Sequence, residues 1–153
     1  MSNINIRVST INDAETIIRF QNEMAMETEK KTLNEELIKP GVKSVLTSGN
    51  KGFYLVAEVD KSIVGSLLIT YEWSDWRNAW YWWIQSVYVE KNWRRKGVYS
   101  LLHNEVISRC KKSKESCGVR LYVDKENKIA QKVYRELGMF ENNYLLYETN
   151  FQH

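Results

Sequence analysis

Between Gly52 and Glu90 three long apolar runs follow one another: "GFYLVAEVD" (52–60), "IVGSLLITYEW" (63–73) and "AWYWWIQSVYVE" (79–90). Each is rich in β-branched and aromatic residues, which pack well on a pleated surface. "DKSIVG" turns the first run into the second, so these two read as a hairpin. The third run follows after a short polar stretch, and the three together read as an antiparallel meander.

The flanking sequence adds helices to that meander. "INIRVS" (4–9) alternates apolar and polar residues at the strand period. "NDAETIIRFQNEMAME" (12–27) starts like a helix, with Asn12 or Asp13 as the N-cap and acids in the first turn. "LNEELIKPGVKSVLTSG" (33–49) predicts helical pieces with a break near Pro40 and Gly41. After Gly97, Val98, Leu101, Leu102, Val106 and Cys110 form one helical stripe. "VRLYVD" (119–124) predicts a short strand. "NKIAQKVYRELG" (127–138) predicts a helix closed by Gly138, and "YLLYETNF" (144–151) a last strand. The expected class is α/β, of the α+β mixed-sheet kind. A mixed, mostly antiparallel sheet carries helices on its faces. At 153 residues, 1–153 is expected to form a single domain.

Bulk properties narrow the function. Hydrophobic residues make up 43% of the chain, enough for a core and too many for a disordered segment. A net charge of +3 is far from the footprint of a dedicated nucleic-acid binder. Cys110 and Cys117 make neither a disulfide framework nor a zinc site, and with only His103 and His153 beside them no metal site is expected. The N-terminal residues lack a signal-peptide core and no run approaches a membrane span. A cytoplasmic setting with no membrane partner is the expectation.

Charge is nevertheless bunched at "NWRRKGVYSLLHNEV" (92–106). A strand ends at Val89, a short polar loop follows, and a helix opens near Gly97. Helix N-termini present N–H groups and partial positive charge, so they bind anions. Gly97 lets a ligand approach the backbone closely. Arg94, Arg95 and Lys96 add formal charge beside those donors. A phosphate-binding loop and a solvated basic turn both fit these residues.

"SVYVEKNWRRKGVYSLL" (86–102) resembles the coenzyme A signature of the GNAT superfamily, the acyl-CoA-dependent N-acyltransferases. That signature, Arg/Gln-x-x-Gly-x-Gly/Ala, falls on Arg94, Gly97 and Tyr99. "ENKIAQKVYRELGMFENN" (126–143) is similar to the second half of the pattern through Asn127, Ala130, Tyr134, Leu137 and Gly138. The order of elements agrees over essentially the whole chain. Two residues depart from the pattern. Arg95 stands where many members have glycine, and Tyr99 where Gly or Ala is usual, so the Tyr99 side chain must point away from the pyrophosphate.

The resemblance implies acetyl-CoA as acetyl donor and an N-acetyltransferase activity. It implies that the backbone of Arg94, Arg95, Lys96, Gly97, Val98, Tyr99 and Ser100 carries the pyrophosphate. It implies a splayed strand pair whose exposed backbone at Val87, Tyr88 and Val89 holds the pantetheine arm like an added strand. Tyr134 is then the acid that protonates the departing thiolate; on the residues alone it reads as the amphipathic edge of its helix. Asn127 caps that helix, contacts the coenzyme, or both.

The acceptor must be a neutral amine to attack. A lysine-like amine is neutral in roughly one molecule in two thousand at pH 7. Direct attack in a ternary complex needs a base or a water relay. Glu72 is one candidate, and Gln85 could position a water. Cys110 reads as core rather than as an acyl carrier. "YEWSDWRNAWYWW" (71–83) could form aromatic core, a dimer face, or a wall for a cationic amine. Strand alternation sends Trp80 and Trp82 to one face and Tyr81 and Trp83 to the other. The stretch from 71 to 89 resembles polyamine- and thialysine-type acetyltransferases, which implies a small-molecule amine acceptor. The alternatives are a protein N-acetyltransferase or a non-catalytic acyl-CoA sensor. Exposed strand edges and aromatics are compatible with a homodimer.

Overall fold

The three apolar runs become the centre of a five-stranded sheet. The computed structural model describes residues 3–151. It divides into two units, one ending at Leu121 and one beginning at Tyr122.

In the first unit β1 (Asn5–Val8) is followed by α1 (Ala14–Glu29), α2 (Glu35–Thr47), β2 (Phe53–Val59), β3 (Ser62–Ser74), β4 (Ala79–Val89), α3 (Val98–Lys112) and β5 (Ser116–Arg120). Spatial order equals chain order, β1-β2-β3-β4-β5. The first four strands are antiparallel, and β5 joins β4 in parallel. This is the mixed, mostly antiparallel sheet the pattern predicts.

Alternation on β2 sends its side chains to two cores. Leu55 and Ala57 join Leu67, Ile69, Trp82 and Ile84, and α3 covers them with Val98, Leu102, Val106 and Cys110. Tyr54 and Val56 point the other way and meet Ile17 and Ile18 of α1 and Val42 of α2. The β1–α1 junction is held by charge. Arg7 donates to both carboxylate oxygens of the buried Asp13, at 2.8 and 3.0 Å, and to Glu58 at 2.9 Å. Asp13 also accepts from the Thr10 backbone N–H, closing a capping box.

Three sequence expectations change. Pro40 does not break α2, which runs unbroken through it. The carbonyl that Pro40 orphans belongs to Glu36, which faces solvent, and Ile38, Val42, Val45 and Leu46 still form one packed stripe. β5 begins at Ser116 and ends at Arg120, so the strand expected over 119–124 starts three residues earlier and ends four earlier. A Cβ on Gly118 would lie 2.8 Å from the Tyr81 ring, so this small-residue stretch is what lets β5 close on β4.

The second unit contains α4 (Lys128–Glu136), capped by Asn127, whose Oδ1 accepts from the Ala130 N–H at 3.1 Å. Residues 144–151 form no strand there. Their alternation is real, but a strand needs a ladder partner, and this unit supplies none. Among the described residues no helix is long and apolar enough to cross a membrane.

The hydrogen bond from Arg7, ahead of all other effects, holds the Asp13 carboxyl below its usual range. A depressed acid stabilises the fold above its unfolded pKa, near 4, and that stabilisation is lost as pH falls through the lower folded value. Asp13→Ala should cost about 2 kcal/mol at pH 7, from a lost cap and a lost charged hydrogen bond. Denaturant titrations should show the gap between variant and parent closing below about pH 4.

Candidate active site

The parallel pair β4–β5 stops early. Its register runs from Trp80 opposite Ser116 to Trp83 opposite Arg120. Strand β4 continues to Val89, while β5 ends at Arg120. Beyond Trp83 the β5-facing edge of β4 is therefore open, a parting of strands that leaves backbone donors and acceptors available.

A β-bulge sits in that open segment. Ser66 faces Tyr88 and Leu68 faces Gln85, so Leu67 alone opposes Ser86 and Val87. Ser86 has φ of 51°, in the left-handed region. Bulges bend a strand and interrupt its ladder, and they recur beside active sites. Past the bulge, Val87 and Val89 pack on the α3-side core, whereas Tyr88 is buried on the α1 side against Phe20.

The chain then enters the basic loop. Arg95 has φ of 63° and Gly97 φ of 80°. The glycine common after the first arginine is thus explained, because the position needs left-handed backbone, and Arg95 adopts it at some cost. Val98, Tyr99 and Ser100 form the first turn of α3, and no side chain caps it. The N–H groups of an opening turn lack carbonyls four residues back, so they face outward as donors. Gly65 makes the approach possible: a Cβ there would lie 3.1 Å from Val98 Cγ1 and 3.2 Å from the Tyr88 carbonyl. Tyr99 is half-buried against the core, and its hydroxyl lies 3.0 Å from His103 Nδ1. His103 itself is fully buried, and burial lowers its pKa, keeping it neutral.

Helix α1 latches the loop, a feature the sequence hid. Glu23 and Glu27 lie one helical turn apart and so share a face. Glu23 accepts from the Tyr88 hydroxyl at 2.7 Å, and Glu27 accepts from Arg94 at 2.9 Å. Arg94 also donates to the Val89 carbonyl at 2.8 Å and stacks 5.4 Å from the Tyr88 ring centroid. Its charge is matched by Glu27, and Arg95 and Lys96 are exposed beside it on the same loop. A cavity of about 410 Å³ opens beside the latch, lined by Glu23, Met26, Glu27, Tyr88, Glu90, Lys91 and Asn92.

Glu72 stands on β3, opposite Tyr81. It accepts from Trp83 Nε1 at 2.8 Å and from Arg120 Nη1 at 3.0 Å. Burial opposes its charge, but the bonds from Trp83 and Arg120 win and hold the carboxyl below its ordinary value. Arg120 in turn lies 3.6 Å from the Tyr81 ring centroid. Gln85 donates to Thr70 Oγ1 at 3.0 Å. Cys110 is buried, its thiol pushed up by burial, as a core residue should be. Trp80 and Trp82 share a face with Tyr71, the alternation predicted, with Trp82 in the core. Tyr134 and Asn127 belong to the second unit, where burial pushes the Tyr134 phenol up and keeps it protonated at neutral pH.

A family model described as the acetyltransferase (GNAT) family matches residues 15–139. The chain belongs to the GNAT acetyltransferase family. It is 43% identical to a possible acetyltransferase from Clostridium difficile 630, with a TM-score of 0.91 over 98% of this chain and 99% of that one. The fold also resembles that of an aminoglycoside acetyltransferase from a soil metagenomic sample, in complex with sisomicin. That likeness has 18% identity and a TM-score of 0.80 over 97% of each chain. A predicted acetyltransferase with acetyl-CoA from Clostridium acetobutylicum is similar at 15% identity and a TM-score of 0.78, over 96% of each chain. No curated protein matches at a significant level. As a GNAT protein the chain is an acetyl-CoA-dependent acyltransferase. The open β4 edge, the uncapped α3 turn and the loop cations fit a long, anionic coenzyme.

The bulge gives a test of this geometry. Ser86→Val places a β-branched residue at positive φ and should cost about 1–2 kcal/mol. Ser86→Gly should leave the melting temperature unchanged or raise it slightly. Equal melting temperatures for both variants would contradict the bulge.

Proposed function

We propose that this enzyme moves the acetyl group of acetyl-CoA to the primary amine of a small molecule, by direct attack in a ternary complex. The observation that carries the reading is the open edge of β4 running into the uncapped first turn of α3. The backbone of Val87, Tyr88 and Val89 binds the pantetheine arm as an added strand. The backbone from Arg94 to Ser100, with the charges of Arg95 and Lys96, takes the pyrophosphate. Asn127 caps α4 and borders the coenzyme. The chain works as one acetyltransferase domain over 1–153 in the cytoplasm.

The amine nitrogen attacks the thioester carbonyl carbon. The C–N bond forms, the C–S bond breaks, and the thiolate leaves with its electron pair. Tyr134 gives that thiolate a proton. The new amide nitrogen sheds its proton to Glu72, directly or through water, and solvent restores both groups. Glu72 is ionised at neutral pH, so it is always ready to accept, though its low pKa makes it a weak base.

Incubation with acetyl-CoA and a panel of polyamines, amino acids, aminoglycosides and peptides should release free thiol only when a suitable small amine is present. Release with peptides alone would instead make the acceptor a protein. Gly97→Glu should abolish coenzyme binding by calorimetry, through repulsion and strain at positive φ; unchanged affinity would sink the loop assignment. Tyr134→Phe should lower kcat roughly 10²-fold with little change in KM. An unaltered rate across pH would falsify the acid assignment and leave the transferase standing.

A further inference from the structure

The sheet of the first unit says where an acceptor would meet the coenzyme. With the pyrophosphate at Arg94–Ser100 and the arm running from Val89 back to Val87, the thioester falls where β4 and β5 part. That is just past their last ladder pair, Trp83 with Arg120. On one face of the sheet this place is closed, because Trp82 and Ile84 are buried in the core that α3 covers. The other face carries Thr70, Glu72, Tyr81, Trp83, Gln85 and Arg120, all half-buried. It is a polar floor, and it continues from the parting toward the β3–β4 turn.

Two arginines share one ring on that floor. Arg120 has its Cζ 3.6 Å from the Tyr81 ring centroid, and its Nη1 donates to both oxygens of Glu72 at 3.0 Å. Arg77 reaches over the same ring from the turn, with its Cζ 5.2 Å from the centroid. Its charge, like that of Arg120, helps to keep Glu72 ionised. Yet Arg77 has no carboxylate of its own. Its Nη1 makes one long hydrogen bond, to Ser74 Oγ at 3.3 Å, and among the described residues no acid lies within ion-pair distance of it. Asp75, its neighbour in the turn, instead accepts from the Trp76 backbone N–H at 3.0 Å. A second guanidinium beside a matched pair is repelled by the first until an anion joins it.

We propose that the missing anion comes with the acceptor, which is an amine that also carries a carboxylate, an amino acid or a close relative. The proposal rests on the acceptor site and the Glu72 role given above, and it names the substrate class of that site. The carboxylate lies on Arg77, whose planar fork is held in place by the Tyr81 ring and offers paired N–H donors. The amine lies toward Glu72 and the parting of the strands. Tyr81 and Trp83 are two residues apart on one face, about 7 Å, so one small molecule spans from Arg77 to the thioester. A polyamine brings further positive charge to a floor that already holds an unmatched cation, and is selected against.

Thiol release from acetyl-CoA is measured with matched compounds that differ only in the carboxylate: lysine against cadaverine, ornithine against putrescine, β-alanine against ethylamine. The acid should show the larger kcat/KM in at least one pair. Arg77→Met should lower kcat/KM for that acid roughly tenfold to a hundredfold, mainly through KM, and lower it far less for the matched amine. Arg77→Lys keeps the charge and should recover part of the loss. A larger kcat/KM for the amine in every pair overturns the proposal, and so does an equal loss for both members in Arg77→Met; either result leaves the transferase reading standing. No release from any compound, with acetyl-CoA bound by calorimetry, overturns the proposal and the small-amine acceptor together.

Discussion

The site depends on a short strand. β5 has five residues, Ser116–Arg120, and β4 has eleven. A parallel pair of unequal length must part, and here it parts after Trp83. The backbone groups of β4 past that point need partners. The bulge at Ser86–Val87 bends the same segment, and Gly65 lets the opening turn of α3 lie close beneath it. Open strand, bend and helix N-terminus follow one another within about fifteen residues of chain, so one local stretch supplies both an extended slot and an anion site.

Charge then fixes that stretch in place. The latch from α1 engages Tyr88 and Arg94, one residue before the end of β4 and one inside the loop. These groups are partly exposed, so each pair adds modest stability. Their larger effect is positional: Arg94 is held to Val89 and Glu27, and the loop presents Arg95, Lys96 and backbone amides outward. Glu72 is treated the same way by Trp83 and Arg120.

Much of this was legible in the sequence, because it rests on local periodicity. The β2–β4 meander, the apolar stripe of α3 and the basic turn before Gly97 each show in a window of a few residues. The family pattern even marked Arg95 as unusual, and its positive φ says why glycine is common there. What escaped depends on distant partners. Glu23 and Glu27 look like any solvated helix acids until β4 is placed against α1. Pro40 looks like a break until the orphaned carbonyl proves to be solvent-facing. β5 starts at a polar Ser-Cys-Gly stretch because the Tyr81 ring excludes anything larger than Gly118. Residues 144–151 carry strand periodicity, but periodicity supplies no ladder partner.

Backbone amide hydrogen exchange, with and without acetyl-CoA, would test the central claim most directly. The coenzyme should slow exchange at Val87–Val89 and at Gly97–Ser100, where an added strand and a bound pyrophosphate would take up the open N–H groups. It should leave β2, which lies between β1 and β3, unchanged. Binding that protects neither segment would contradict the claim that the parted strand and the uncapped helix turn form the coenzyme site.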